Sequence, residues 1–100
     1  MKLIAKTHIK NGKTLIVVCD KELIGRVLED GACILDLSDD FYKGDLMTEE
    51  EVGDIIRNAD MVNLIGNKSV KIGIAEDIIE EDNIKIIEDV PFAMGVIIVD

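Results

Sequence analysis

Lys2–Lys10 and Lys13–Cys19 are two short, mainly apolar runs that each open on a lysine and are rich in Ile, Val, Leu and Thr, the side chains that favour strands. Between the two runs stands Asn11-Gly12, whose residues tolerate the positive φ that a two-residue hairpin turn requires. Such a turn fixes the register, setting Ile9 opposite Thr14, Thr7 opposite Ile16 and Ala5 opposite Val18. Leu3 joins these on one apolar face. The other face carries Ile4, Leu15, Val17, Cys19 and His8 among Lys2, Lys6, Lys10 and Lys13. A lysine-fringed apolar strip of this kind fits a solvated face with lysine stems lying over it; a partner-docking surface is the sharper alternative.

Asp20 ends the second strand and suits the N-cap of a single turn over Lys21–Ile24, which Gly25 stops. Arg26–Leu28 and Cys33–Leu37 predict a shorter hairpin across Glu29-Asp30-Gly31. Ser38–Tyr42 reads as a turn or one helical turn, and Lys43-Gly44-Asp45 as loop. Thr48-Glu49-Glu50-Glu51 is a capping box that opens a helix burying Val52, Ile55 and Ile56 and fraying near Asn58. Met61–Ile65 follows as a short buried strand that turns at Gly66 into a second helix. That helix is expected over 68–79, with Val70, Ile74 and Ile78 in line. Strands at Ile84–Glu88 and Ala93–Val99 flank Asp89–Phe92, and the continuous run Val96–Val99 suggests a central position. The order ββ, ββ, α, β, α, ββ predicts one α+β domain over residues 1–100. Its mostly antiparallel sheet is built from hairpins and carries two packed helices as a two-layer sandwich.

Composition narrows the class. With 48% hydrophobic residues in 100, the chain holds enough apolar material for one core, and aromatics at 3% make that core aliphatic. The absence of Gln, the single Pro and the abundant Lys and Glu resemble a thermophile's composition. No apolar run reaches the ~20 residues of a membrane span, and the N-terminus lacks a signal-peptide layout. A cytoplasmic protein with no membrane partner is expected.

The net charge of −10 is unevenly spread. Residues 1–26 carry six cations against two acids, whereas the remainder carries five cations against nineteen acids. So acidic a whole disfavours non-specific nucleic-acid binding, while the N-terminal hairpin alone can meet phosphate or an acidic partner.

Few residues suggest chemistry. Gly66-Asn67-Lys68-Ser69 lacks the glycines of a phosphate loop. What it does place at a strand end is a set of helix N-terminal amides, a lysine and a serine, able to hold an anion; Asn67 as an ordinary N-cap is the competing reading. Cys19 and Asp20 also close a strand, but a nucleophilic cysteine needs a base, and the one histidine, His8, is too far along the ladder for a dyad. Asn63, an amide in an apolar strand, needs hydrogen-bond partners if buried. Asp36, Asp39 and Asp40 lack the spacing of a calcium loop. No cofactor and no metal is expected, and Cys19 and Cys33 read as reduced thiols.

The segments Val17-Val18-Cys19-Asp20, Lys21-Glu22-Leu23-Ile24-Gly25, Asp39-Asp40-Phe41-Tyr42-Lys43-Gly44 and Val62-Asn63-Leu64-Ile65-Gly66-Asn67, in that order, resemble a family of small archaeal proteins of unknown function. The resemblance spans essentially the whole chain. It implies an archaeal, cytoplasmic, single-domain protein in the company of translation or RNA-processing machinery, and it assigns no chemical role to any residue. Two functions follow as expectations. The first is a non-catalytic binding or adaptor protein that meets a protein partner, or a ribonucleoprotein assembly, through the basic hairpin with Lys2, Lys6, Lys10 and Lys13 and through the turn at 66–69. The second is a small enzyme or sensor taking an anionic metabolite at Gly66–Ser69, with Cys19, Asp20 and Asn63 nearby.

Overall fold

The computed structural model describes residues 2–97. The hairpin of β1 (Lys2–Lys10) and β2 (Lys13–Asp20) forms in the expected register, from Leu3 opposite Asp20 to Lys10 opposite Lys13. Asn11 and Gly12 take φ of 54° and 76°. A second hairpin, β3 (Val27–Asp30) and β4 (Cys33–Asp36), turns one residue later than expected, at Gly31-Ala32. The chain then makes a single 3-10 turn at Asp40–Tyr42 and enters β5 (Asp45–Thr48), read from sequence as loop. β5 pairs with β1 from Lys2 to Ala5. Gly44 permits the close approach, since a Cβ there would sit 2.0 Å from the Ala5 carbonyl oxygen.

α1 (Glu49–Ile56) opens with the expected capping box: the Glu51 N–H donates to Thr48 Oγ1 and the Thr48 N–H donates to the Glu51 carboxylate. It buries Val52 and Ile56, with Ile55 half-buried. β6 (Met61–Ile65) runs into α2 (Asn67–Ala75). α2 ends earlier than its apolar period suggests, because Asp77 turns left-handed at φ 60° and folds the chain back. The amides of Ile78 and Ile79 then donate to the Gly73 carbonyl, and Ile79 is buried beside that glycine.

β7 (Lys85–Ile87) and β8 (Val90–Val96) are joined by Glu88-Asp89, both left-handed. The turn therefore comes before Pro91 rather than around it, and Pro91 lies inside a strand. Its carbonyl accepts from the Gly66 amide at 2.8 Å. The N–H that proline lacks is not missed, because the Gly66 carbonyl instead accepts from Val70 in the first turn of α2. Ile98 and Val99 of the expected closing strand lie outside the described residues.

The six-stranded sheet has the order β5-β1-β2-β6-β8-β7, all antiparallel except the parallel pair β2–β6. Both helices lie on one face. Leu3, Ala5, Ile16, Val18, Val62 and Leu64 from the strands meet Val52, Ile56 and Val70 there. The opposite face departs from the expected open strip. One end of it, at Val17, Cys19, Ile65, Ile87 and Val90, is covered by Leu23, Leu28 and Leu37 of the β3–β4 hairpin and its flanks. The fold is α+β, with a small two-stranded sheet added on the side away from the helices. No helix among the described residues is long and apolar enough to cross a membrane.

Replacing Gly12 with Val forces a β-branched residue into φ 76° in otherwise open space. Strain alone should cost about 1–2 kcal/mol, read as a lower midpoint in urea or thermal unfolding. An unchanged midpoint would contradict the turn geometry.

Candidate functional site

Two places gather the residues singled out from sequence. The first is the joint where β2 ends and α2 begins. Asp20 does not cap the turn that follows it; its side chain makes no bond to Lys21–Leu23. It instead reaches across 48 and 49 residues to the start of α2. Its carboxylate accepts from the Lys68 amide at 3.1 Å, the Ser69 amide at 2.9 Å and Ser69 Oγ at 2.8 Å. Asp20 is 2% exposed and Ser69 fully buried. The reason is mutual need: helix N-terminal amides lack intrahelical acceptors, and a buried carboxylate lacks water. Asn67 is the first helical residue rather than the cap; Gly66 holds the cap position at φ 106°. Lys68 extends outward to Glu22 at 3.5 Å. The anion at this helix start is thus the protein's own side chain, and an external anion would have to displace it.

Cys19, beside Asp20, is buried, and its Sγ donates weakly to the Asp20 carbonyl at 3.4 Å. Burial, reinforced by the negative charges of Asp20 and Glu22, pushes its thiol up to about 12. It is therefore protonated at neutral pH. His8 stands opposite Leu15 while Cys19 stands opposite Ile4, four strand positions away, or about 13 Å. The His8 ring is engaged elsewhere, stacked on Phe41 at 4.3 Å, with Nε2 3.0 Å from the Phe41 carbonyl oxygen. Asp36 and Asp39 accept from Ser38 and Phe41 of their own turn, and Asp40 pairs with Lys43. Among the described residues, no group of three His, Cys, Asp or Glu side chains is placed to hold a metal.

The second place is the end of the sheet that the β3–β4 hairpin does not cover. Strand register sets Leu15, Met61 and Val96 side by side across β2, β6 and β8, with Val17, Asn63 and Met94 in the next row. Met61 is 39% exposed, and Met94 and Val96 are each 66% exposed. His8, Leu15, Phe41 and Met61 form a groove of about 380 Å³ with Lys10 and Lys13 at its rim. Lys6 is opposite Val17 on the same face. Asn63 is half-buried here with no side-chain hydrogen bond among the described residues. Lys2, by contrast, is paired with Thr48 at the far end of β1, about 26 Å from Lys10. The structure therefore brings Lys6, Lys10, Lys13 and Asn63 to one surface and leaves Lys2 out. Met61, Met94 and Val96 were missed as surface residues because their apolarity reads as core. The alternation Met94, Val96 against Ala93, Gly95 was the available signal.

Asp20→Ala should cost about 2–3 kcal/mol, since it removes a cap and leaves buried amides without acceptors; urea unfolding reads it, and a loss under 1 kcal/mol would contradict the joint. In native protein a thiol-disulfide reagent should titrate exposed Cys33 at once and Cys19 only after denaturation. Rapid titration of both would contradict the burial of Cys19. Because the folded state holds the Cys19 proton more tightly, that contribution to stability is full below about pH 9 and is lost as pH rises toward 12.

No curated protein matches this sequence. The fold is similar to that of an uncharacterized conserved protein from Methanopyrus kandleri, whose crystal structure superposes with a TM-score of 0.83 over 94% of this chain and 90% of that one at 21% identity. At that identity the likeness speaks for the fold alone. A family model matches residues 7–98, and the chain belongs to that family, described as protein of unknown function (DUF424).

Proposed function

We propose that this chain is a binding protein whose working surface is the uncovered end of the sheet opposite the helices. The observation that carries the reading is that, among the described residues, cover of that face stops at one end. The remainder exposes Met61, Met94 and Val96 in adjoining rows beside a groove rimmed by lysines. Apolar side chains grouped on a surface cost free energy in water and are stabilised by a partner. The chemistry of catalysis has less support, because Cys19 is protonated and buried and His8 is tied to Phe41. The second expected reading, an anionic metabolite at Gly66–Ser69, must compete with the Asp20 carboxylate for the same amides.

A protein partner suits this surface better than nucleic acid, given a net charge of −10 and a contact dominated by methionine and aliphatic groups. A place in a translation or RNA-processing assembly is part of the proposal and rests on the family resemblance. Tagged protein drawn from a lysate of the source organism, with and without RNase, tests it by mass spectrometry. The specific partner should be lost with Met94→Glu and with Lys6, Lys10 and Lys13 changed to Glu, and kept with Lys2→Glu, all at unchanged melting temperature. Partner binding that survives Met94→Glu would overturn the surface. Binding that vanishes with RNase would place RNA in the contact.

A further inference from the structure

Resting on that reading of the surface, we infer that its occupant is an acidic amphipathic helix supplied by another protein. Three observations converge on this chemistry. The first is dimension. Leu15, Met61 and Val96 stand opposite one another across three strands, a row about 10 Å long at two strand spacings, which is about the width of one helix. Met94 in the next row widens the patch along the strand direction. A helix laid on the face covers Met61, Met94 and Val96 together. A strand added beside β8 would cover chiefly Val96, because β7 and the turn at Glu81–Asn83 already flank the edge up to Met94.

The second observation is charge. Lys6, Lys10 and Lys13 border this patch in a protein whose residues 27–100 carry five cations against nineteen acids. An acidic segment is drawn to this corner and repelled elsewhere, so charge sets where and in which orientation it docks. The third is the pair of features inside the patch. The groove between His8, Phe41, Leu15 and Met61 accepts one large apolar anchor. The half-buried Asn63 amide, between Val17 and Met94, offers donors to a carboxylate or amide on the same helix. The complementary segment has apolar residues at i, i+3 or i+4, and i+7, with Asp or Glu flanking them on the side that meets the lysines.

Selection of a random 16-residue peptide display library on the immobilised whole protein tests this without knowledge of the natural partner. Enriched peptides should carry that apolar spacing with a net negative charge, and should gain helical circular dichroism on binding. Their affinity should fall at least tenfold for the Lys6, Lys10 and Lys13 to Glu variant and at least tenfold for Met94→Glu, with both variants melting as the parent does. Neutral or basic peptides, or peptides that bind extended, would overturn the inference while leaving the surface in place, provided Met94→Glu still abolishes binding. Peptides indifferent to Met94→Glu, or no enrichment at all, would overturn both. A dimer of the protein alone that Met94→Glu dissolves in sedimentation would replace the helix by a second copy of the chain.

Discussion

The bond set between Asp20 and the first turn of α2 holds the architecture together. A carboxylate taken out of water is costly unless it is fully hydrogen-bonded, and helix N-terminal amides in a buried joint are costly for the same reason. Placed together, each satisfies the other, and the helix dipole adds to the attraction. The arrangement demands Gly66, because a Cβ there would lie 2.3 Å from the Asp20 carboxyl carbon. It also ties the end of β2 to the end of β6, so the one parallel pair in the sheet is fixed where its strands finish. The Lys68–Glu22 pair outside the joint is half-exposed and adds little by comparison.

With that joint made, the rest of the sheet follows from unequal cover. α1 and α2 bury one face through aliphatic side chains of β1, β2 and β6. Among the described residues, the other face is covered by a hairpin of two four-residue strands and the turns that flank it. Its Leu28 and the following Leu37 are fully buried over Val17, Cys19 and Ile65, but strands of this length reach only one end. The stacked rings of Phe41 and His8 mark where cover stops. Beyond them β1 and β2 carry lysines and β6 and β8 carry methionine and valine, so the uncovered end is apolar at its centre and basic along one side. The same scarcity of covering chain leaves this end bare, and it is to this end that the proposed binding is assigned.

Local rules made much of this legible in the sequence. Asn11-Gly12 determined the first hairpin and its register, because only positive-φ residues form that turn. Thr48 and Glu51 determined the start of α1, because both halves of the capping box lie within three residues. Val62, Leu64 and Val70 announced a strand and helix facing one core. Tertiary structure decided what depends on a partner distant in the chain. β5 is a strand because β1 lies beside it, not because Asp45–Thr48 favours one. Pro91 sits within a sheet because its neighbour at that point is the glycine that opens a helix. Asp20 left its own turn for α2, which no local pattern could rank. Lys6, Lys10 and Lys13 were placed on their face by alternation alone, yet whether that face was open or covered was settled only by how far β3 and β4 reach. The periods of 2 and 3.6 report which residues share a side; they carry no information about what, 20 or 50 residues away, will lie against it.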